Sequence, residues 1–197
     1  MKYVLLMLLP VLCLSCNDDG VFSLPPTPYD VKALRLSATE IALTWKDSSA
    51  IEGTYRILRA VNTSPYELLT TVPHGTAIYN DAALTPEATY SYQLTLVDKN
   101  GNNSEYSAVA TVNGLQSSQM SSFTIPDKNY GDSPFAISAP TTLNPEPITY
   151  TSSNTQVATV GANVITIIGT GTTVITASQP MSFSYMPASS SANFTVH

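Results

Sequence analysis

From residue 31 onward, large apolar residues alternate with small or polar ones, the period-two pattern of strands with one buried face. Val31, Ala33, Leu34 and Leu36 read as a first strand. Ile41, Leu43 and Trp45, spaced by Ala42 and Thr44, put three large side chains on one face of a second strand, with Trp45 towards a core. Tyr55, Ile57 and Arg59 mark a third strand after the turn at Glu52-Gly53, and shorter ones fall at 68–72 and 76–79 around Pro73 and Gly75. In the strongest stretch Tyr90, Tyr92 and Leu94 alternate inward. Beyond a Ser- and Gln-rich stretch the pattern resumes with Phe123 and Ile125, Phe135 and Ile137, and Ile148 and Tyr150, then at 157–160, 164–168, 173–177 and 194–196. Gly161, Gly169 and Gly171 are expected to divide these strands into hairpins. The pattern predicts an all-β chain with strand-rich segments at 28–113 and 122–197, joined by a linker at 114–121.

The N-terminus breaks this pattern. Lys2, an apolar run over 4–14 and the small Ser15 make residues 1–15 a secretory signal peptide. The run is too short to cross a hydrocarbon core of about 30 Å. Leu14-Ser15-Cys16 resembles the processing site of bacterial lipoproteins, in which a small residue admits the signal peptidase and the exposed thiol takes up lipid. Cys13 departs from the Leu more usual there, but a cut before Cys13 would place bulky Leu12 at the scissile position. Both cysteines lie within the first sixteen residues, so no disulfide framework is available.

The resemblance implies lipidation of Cys16 and a lipid-anchored protein at a bacterial outer membrane or cell surface; the alternative is an ordinary signal peptide with an incidental cysteine. One acyl chain binds a membrane only marginally, at about 0.8 kcal/mol per buried methylene, whereas two or three hold it durably. Asn17-Asp18-Asp19 resembles the acidic signal that sends lipoproteins of one Gram-negative group to the outer face. The same residues also suit a solvated tether over 16–27, with Gly20, Pro25 and Pro26, reaching at most about 3.5 Å per residue.

Composition narrows the function classes. Charged residues make up only 11% and the net charge is −6; cleavage would also remove Lys2, one of the eight Lys and Arg that face fourteen Asp and Glu. This acidic balance argues against nucleic acid, whose phosphates need a basic patch. After Gln116 the charged residues are Asp127, Lys128, Asp132 and Glu146, so the second segment is not built to act by electrostatics.

Trp45 on the second strand, Tyr55 on the third, and the run Leu84-x-Pro86-x-x-x-Tyr90 together resemble a fibronectin type III module over 28–113. The resemblance implies a framework role for Trp45, Tyr55, Leu84 and Tyr90, with the Tyr90 hydroxyl bonding back to upstream backbone as a tyrosine corner. It also places the last hairpin at Asp98-Lys99-Asn100-Gly101-Asn102, followed by Ser104, Tyr106 and Ser107. The stretch 150–160, with Ser152-Ser153-Asn154, and the stretch 165–177, with Gly169-Thr170-Gly171, resemble the bacterial immunoglobulin-like domains over 122–197. Two tandem immunoglobulin-like β-sandwiches are the expected fold. Modules of the second kind occur in surface proteins, adhesins and phage fibres as spacers or binding units.

Candidate chemistry is sparse, and no cofactor is expected. Asp98, Asn100 and Asn102 have the spacing of the first calcium ligands of an EF-hand loop, but Asn103 and Val109 stand where Gly and a bidentate carboxylate are needed, which favours a plain turn. His74 and His197 are the two histidines, one in a Pro-Gly loop and one terminal, so neither a Ser-His-Asp set nor a two-histidine metal site is expected within one chain. Asp18-Asp19 and Asp127 with Asp132 read as solvated surface charge. Gly169-Thr170-Gly171 lacks the third glycine of a phosphate loop.

One patch remains, Met181, Phe183 and Tyr185 between Pro180 and Pro187. It could be an exposed platform for a sugar ring or a protein partner. Period two favours the other reading, in which Phe183 and Tyr185 face inward on a penultimate strand and Met181 fills a core gap. The function expected is a non-enzymatic binding, adhesion or spacer module at the cell surface, attached to the membrane through Cys16 and meeting a protein or carbohydrate ligand. The alternatives are an accessory subunit of a glycan-capture or secretion complex, or a phage-encoded lipoprotein that modifies the host surface.

Overall fold

A computed structural model describes residues 23–197. The segment at 1–15 expected to be a signal peptide, Cys16 and the start of the expected tether lie outside the described residues. The described chain is all-β, and no helix in it is long and apolar enough to cross a membrane.

Seven strands form the first sandwich: β1 (Tyr29–Ser37), β2 (Glu40–Lys46), β3 (Gly53–Val61), β4 (Glu67–Pro73), β5 (Ile78–Ala82), β6 (Tyr90–Asp98) and β7 (Ala110–Val112). They lie in two sheets, ordered β1-β2-β5 and β4-β3-β6-β7. The predicted alternation is seen directly in β2 and β6, where Ile41, Leu43, Trp45, Tyr90, Tyr92, Leu94 and Leu96 are all buried. In β1 the large residues turn the other way: Leu34 and Leu36 are exposed, and Val31, Ala33 and Arg35 occupy the more buried positions. Trp45 of one sheet meets Tyr55 of the other edge to face, with ring centroids 5.5 Å apart. That geometry adds about 1 kcal/mol beyond area burial.

Ser104 and Ser107 replace part of the last strand. Their hydroxyls accept the Leu96 and Leu94 amide protons at 2.9 and 3.0 Å, while their own amides donate to the Leu96 and Leu94 carbonyls at 2.8 Å each. The ladder therefore continues along β6 although regular strand begins again only at Ala110.

The second sandwich contains β8 (Phe135–Ala136), β9 (Thr149–Ser152), β10 (Ala158–Gly161), β11 (Val164–Ile167), β12 (Gly171–Gln179) and β13 (Ala188–Val196), in sheets ordered β10-β11-β8 and β13-β12-β9. Its core comprises Ile125, Ile137, Val157, Ala158, Ile165, Ile175, Ala192, Phe194 and Val196. The Phe123–Ile125 stretch forms no strand, yet Ile125 still reaches this core.

Two sequence expectations are corrected here. Gly169 to Gly171 is not a hairpin, because β11 pairs with β10 and β8 whereas β12 pairs with β13 and β9. The chain crosses between sheets there: Gly171 takes φ +125°, and a Cβ on Gly169 would stand 2.8 Å from the Gln156 carbonyl oxygen. Residues 181–186 are not a penultimate strand either. Phe183 is 90% exposed while its neighbour Ser182 is buried, the reverse of the expected facing.

By Cα proximity the described residues form two compact units, one holding residues up to 33 with 43–79 and 91–111, the other holding 34–42, 80–90 and 112–197. Within the second unit the expected linker begins as ordered chain. Leu115 is buried, its amide donates to the Pro86 carbonyl at 2.8 Å, and Gln116 exchanges backbone bonds with Ser184 and Met186.

Candidate functional site

Two places carry side chains whose arrangement the alternation does not explain. The first begins where β2 ends. Asp47 follows Lys46, and the chain turns on an Asx motif in which the Ser49 amide donates to Asp47 Oδ1 at 2.8 Å. Oδ2 then receives three side-chain donors: the Ser49 hydroxyl at 2.8 Å, the Tyr55 hydroxyl at 2.8 Å and His74 Nε2 at 3.1 Å. The Asp47 side chain is 6% exposed and that of His74 25%.

Burial alone would push the Asp47 carboxyl up; the bonds from Ser49, Tyr55 and His74 outweigh it and hold it below the usual carboxylate range. Burial, followed by the bond to Asp47, pushes the Tyr55 hydroxyl up to about 12. The His74 ring lies against Tyr55, with centroids 5.6 Å apart. These groups line a cleft of about 330 Å³ that also takes in Tyr29, Trp45 and Lys46.

The sequence predicts no Ser-His-Asp set within one chain, yet the fold brings Ser49, His74 and Asp47 together. Ser49 Oγ stands 3.5 Å from His74 Nε2. The relay geometry of hydrolases needs the carboxylate on one ring nitrogen and the nucleophile on the other. Here both meet Nε2, and the Ser49 hydroxyl already donates to Asp47. The cluster is a polar clamp joining the end of β2 to β3 and to the turn after β4. Only the Asx turn of Asp47-Ser48-Ser49 was open to sequence reasoning; His74, twenty-seven positions from Asp47, carries no local signal for its place.

Leu84 and Tyr90 bound the turn that leads into β6. Leu84 is buried, and its amide donates to the Thr39 carbonyl at 3.0 Å. The Thr85 amide donates to the Tyr90 hydroxyl at 2.8 Å, which closes the tyrosine corner. At the last hairpin the Asp98 carboxylate accepts the amides of Asn100 and Asn102 and the Asn102 side-chain amide, each at 2.8 Å. Those ligand-spaced residues therefore bond to one another in a turn. Among the described residues no group of three or more His, Cys, Asp or Glu is placed to hold a metal ion.

The second place is the connection between β12 and β13. The Ser182 hydroxyl accepts the Tyr185 amide at 3.0 Å, and the Ser182 amide donates to the Tyr185 carbonyl, also at 3.0 Å. This tight turn leaves Phe183 at its tip, with Met181 and Tyr185 half-buried at its base. The connection is tied to the loop before β9, since the Asn144 side chain donates to the Pro180 carbonyl at 2.9 Å and Gln179 donates to the carbonyls of Asn144 and Glu146. Leu143 on that loop is 73% exposed. An aromatic ring and a leucine thus project from the same end of the second sandwich, on segments whose one charged residue is Glu146.

No protein-family model matches the chain, and no curated protein matches its sequence. Among solved structures it is similar to an Fn3-like protein from Clostridium thermocellum, at 24% identity over 48% of this chain and 97% of that one, with a TM-score of 0.40. It is also similar to the sixth fibronectin type III domain of human fibronectin type III domain containing protein 3, at 18% identity over 49% and 91% of the two chains, with a TM-score of 0.42. The first sandwich is fibronectin type III-like in fold, a statement carried by its own two sheets and by the Thr85–Tyr90 corner.

Proposed function

We propose that this protein is a bacterial surface lipoprotein, anchored through lipid on Cys16, that works as a non-enzymatic binding module. Its first sandwich serves as framework, and its second, read as a bacterial immunoglobulin-like domain, presents the contact. The observation that carries this reading is the exposure of Phe183: a ring 90% open to solvent on a turn held by Ser182 contributes nothing to a core. A large apolar side chain fixed at a tip suits stacking on a sugar ring or packing into an apolar pocket of a protein partner. The Asp47 cluster supports a non-enzymatic reading, because its only histidine shares one nitrogen between Ser49 and Asp47.

Two measurements test the proposal separately. Metabolic labelling with a fatty acid should mark the wild-type chain and not Cys16→Ala, which should also leave the membrane fraction; label retained by Cys16→Ala would remove the anchor from the account. Capture of cell-surface glycans or proteins by the wild-type chain should fail with Phe183→Ala, and equal capture by the two would move the contact elsewhere.

A further inference from the structure

Residues 119–121 and 141–143 wall a cleft of about 330 Å³ within the second unit. That volume falls at the small end of ligand clefts, which run from about 300 to 1,000 Å³. The two walls are tied together: the Ser121 amide donates to the Thr141 carbonyl at 2.9 Å, the Thr141 amide donates to the Ser121 hydroxyl at 2.9 Å, and the Ser118 and Thr142 hydroxyls meet at 3.3 Å. The same two segments hold the turn that carries Phe183. The Gln116 amide donates to the Ser184 carbonyl at 2.7 Å and the Met186 amide to the Gln116 carbonyl at 2.9 Å. On the other wall Asn144, next to Leu143, donates its side-chain amide to the Pro180 carbonyl at 2.9 Å. Cleft and exposed ring therefore share one support.

Some polar groups of the cleft are committed and others are free. The Thr142 hydroxyl accepts the Asn144 amide at 3.1 Å. Among the described residues the exposed Gln119 side-chain amide and the exposed Thr141 hydroxyl bond to no protein group. Both kinds of group donate and accept hydrogen bonds. No Lys, Arg, His, Asp or Glu occurs at 116–123, 139–145 or 180–187, with Glu146 the next residue after the second stretch. An ionic ligand would lose water here without gaining a counter-charge from these segments.

We propose that this end of the second sandwich binds an uncharged oligosaccharide, one sugar stacking on Phe183 while the hydroxyls of another bond to Gln119 and Thr141. The inference rests on Phe183 being the contact and names what it meets. A neutral sugar has both parts that this surface asks for: an apolar C–H face for the ring and a rim of hydroxyls that donate and accept. A chain of several sugars is called for because ring and cleft are separate places on the patch. An apolar protein pocket closing over the same patch would cover Gln119 and Thr141 without pairing them, and each unpaired group would weaken the complex.

The test is affinity electrophoresis of the full chain, in mild detergent, through gels holding glucan, mannan, galactan or xylan, with pectate and chondroitin sulfate as charged comparisons. At least one neutral polysaccharide should retard the wild type, and the charged ones should not. Phe183→Ala should abolish the retardation. Thr141→Val and Gln119→Ala should each weaken it about fivefold, as for one lost hydrogen bond, while Thr141→Ser keeps it and all four variants melt at the wild-type temperature. No retardation in any neutral gel, retardation by the charged polysaccharides alone, or unchanged binding by Thr141→Val and Gln119→Ala would each overturn the proposal. Capture of cell-surface protein that needs Phe183 but survives periodate oxidation of the glycans would remove the sugar and leave Phe183 as the contact. Capture indifferent to Phe183 would remove both.

Discussion

The Tyr55 hydroxyl donates to Asp47 Oδ2 at 2.8 Å, and this bond joins strand β3 to the residue that follows β2. The same oxygen holds Ser49 and His74, so the two sheets are linked at this end by one nearly buried carboxylate with four hydrogen bonds in all. Removing the shared acceptor differs in cost from removing one donor.

Asp47→Ala leaves the Tyr55 hydroxyl and the Ser49 and His74 donors without their acceptor, and should destabilise the protein by about 3 kcal/mol. Tyr55→Phe removes one donor and keeps the ring against Trp45, so it should cost about 1 kcal/mol. Denaturant unfolding of both variants checks the order, and equal costs would contradict a shared-acceptor account.

The two titrating groups of the clamp set opposite limbs of the stability profile. Because the folded Asp47 carboxyl lies below its unfolded value of 3.8, its contribution is complete above that value and is lost as pH falls through the folded one. Tyr55, raised from 10.0 to about 12, contributes fully below pH 10.0 and loses that contribution as pH rises towards 12. Asp47→Asn should flatten the acid limb, and Tyr55→Phe the alkaline limb. Unfolding free energies measured across pH decide both.

Gly53 opens β3 under the Val97 carbonyl oxygen, and a Cβ there would lie 2.1 Å from that oxygen. Gly53→Ala must displace backbone between β3 and β6, at a cost of about 3 kcal/mol. Gly75 sits at φ +87° with nothing within 4 Å of a built Cβ, so Gly75→Ala meets only backbone strain of about 1–2 kcal/mol. Thermal melts of the two variants should rank Gly53→Ala as the more damaging.

Much of the first sandwich was legible because its strands bury one face: Ile41, Leu43 and Trp45, and Tyr90, Tyr92 and Leu94, alternate as period two requires. Leu34 and Leu36 could not be oriented that way, because β1 carries apolar residues on both faces and only the sheet decides which face is inner. Apolar content alone also misplaced Phe183. The determinant is its neighbour Ser182, whose hydroxyl and amide both bond to Tyr185 and convert an apparent strand into a turn. Gly169 and Gly171 signalled a change of direction, but whether the chain returns along the same sheet or crosses to the other depends on pairing that lies far off in sequence. The Asp47 clamp had half of its signal in a local Asx turn and the other half in long-range placement of Tyr55 and His74.

The Phe183 tip is assigned to a contact surface rather than to the fold, and capture and stability measured together on Phe183→Ala separate the two roles. Capture of surface ligands from intact cells should be lost while unfolding free energy stays within about 0.5 kcal/mol of wild type, as for an exposed side chain. Undiminished capture, or a stability loss of about 3 kcal/mol as for a core phenylalanine, would contradict that assignment.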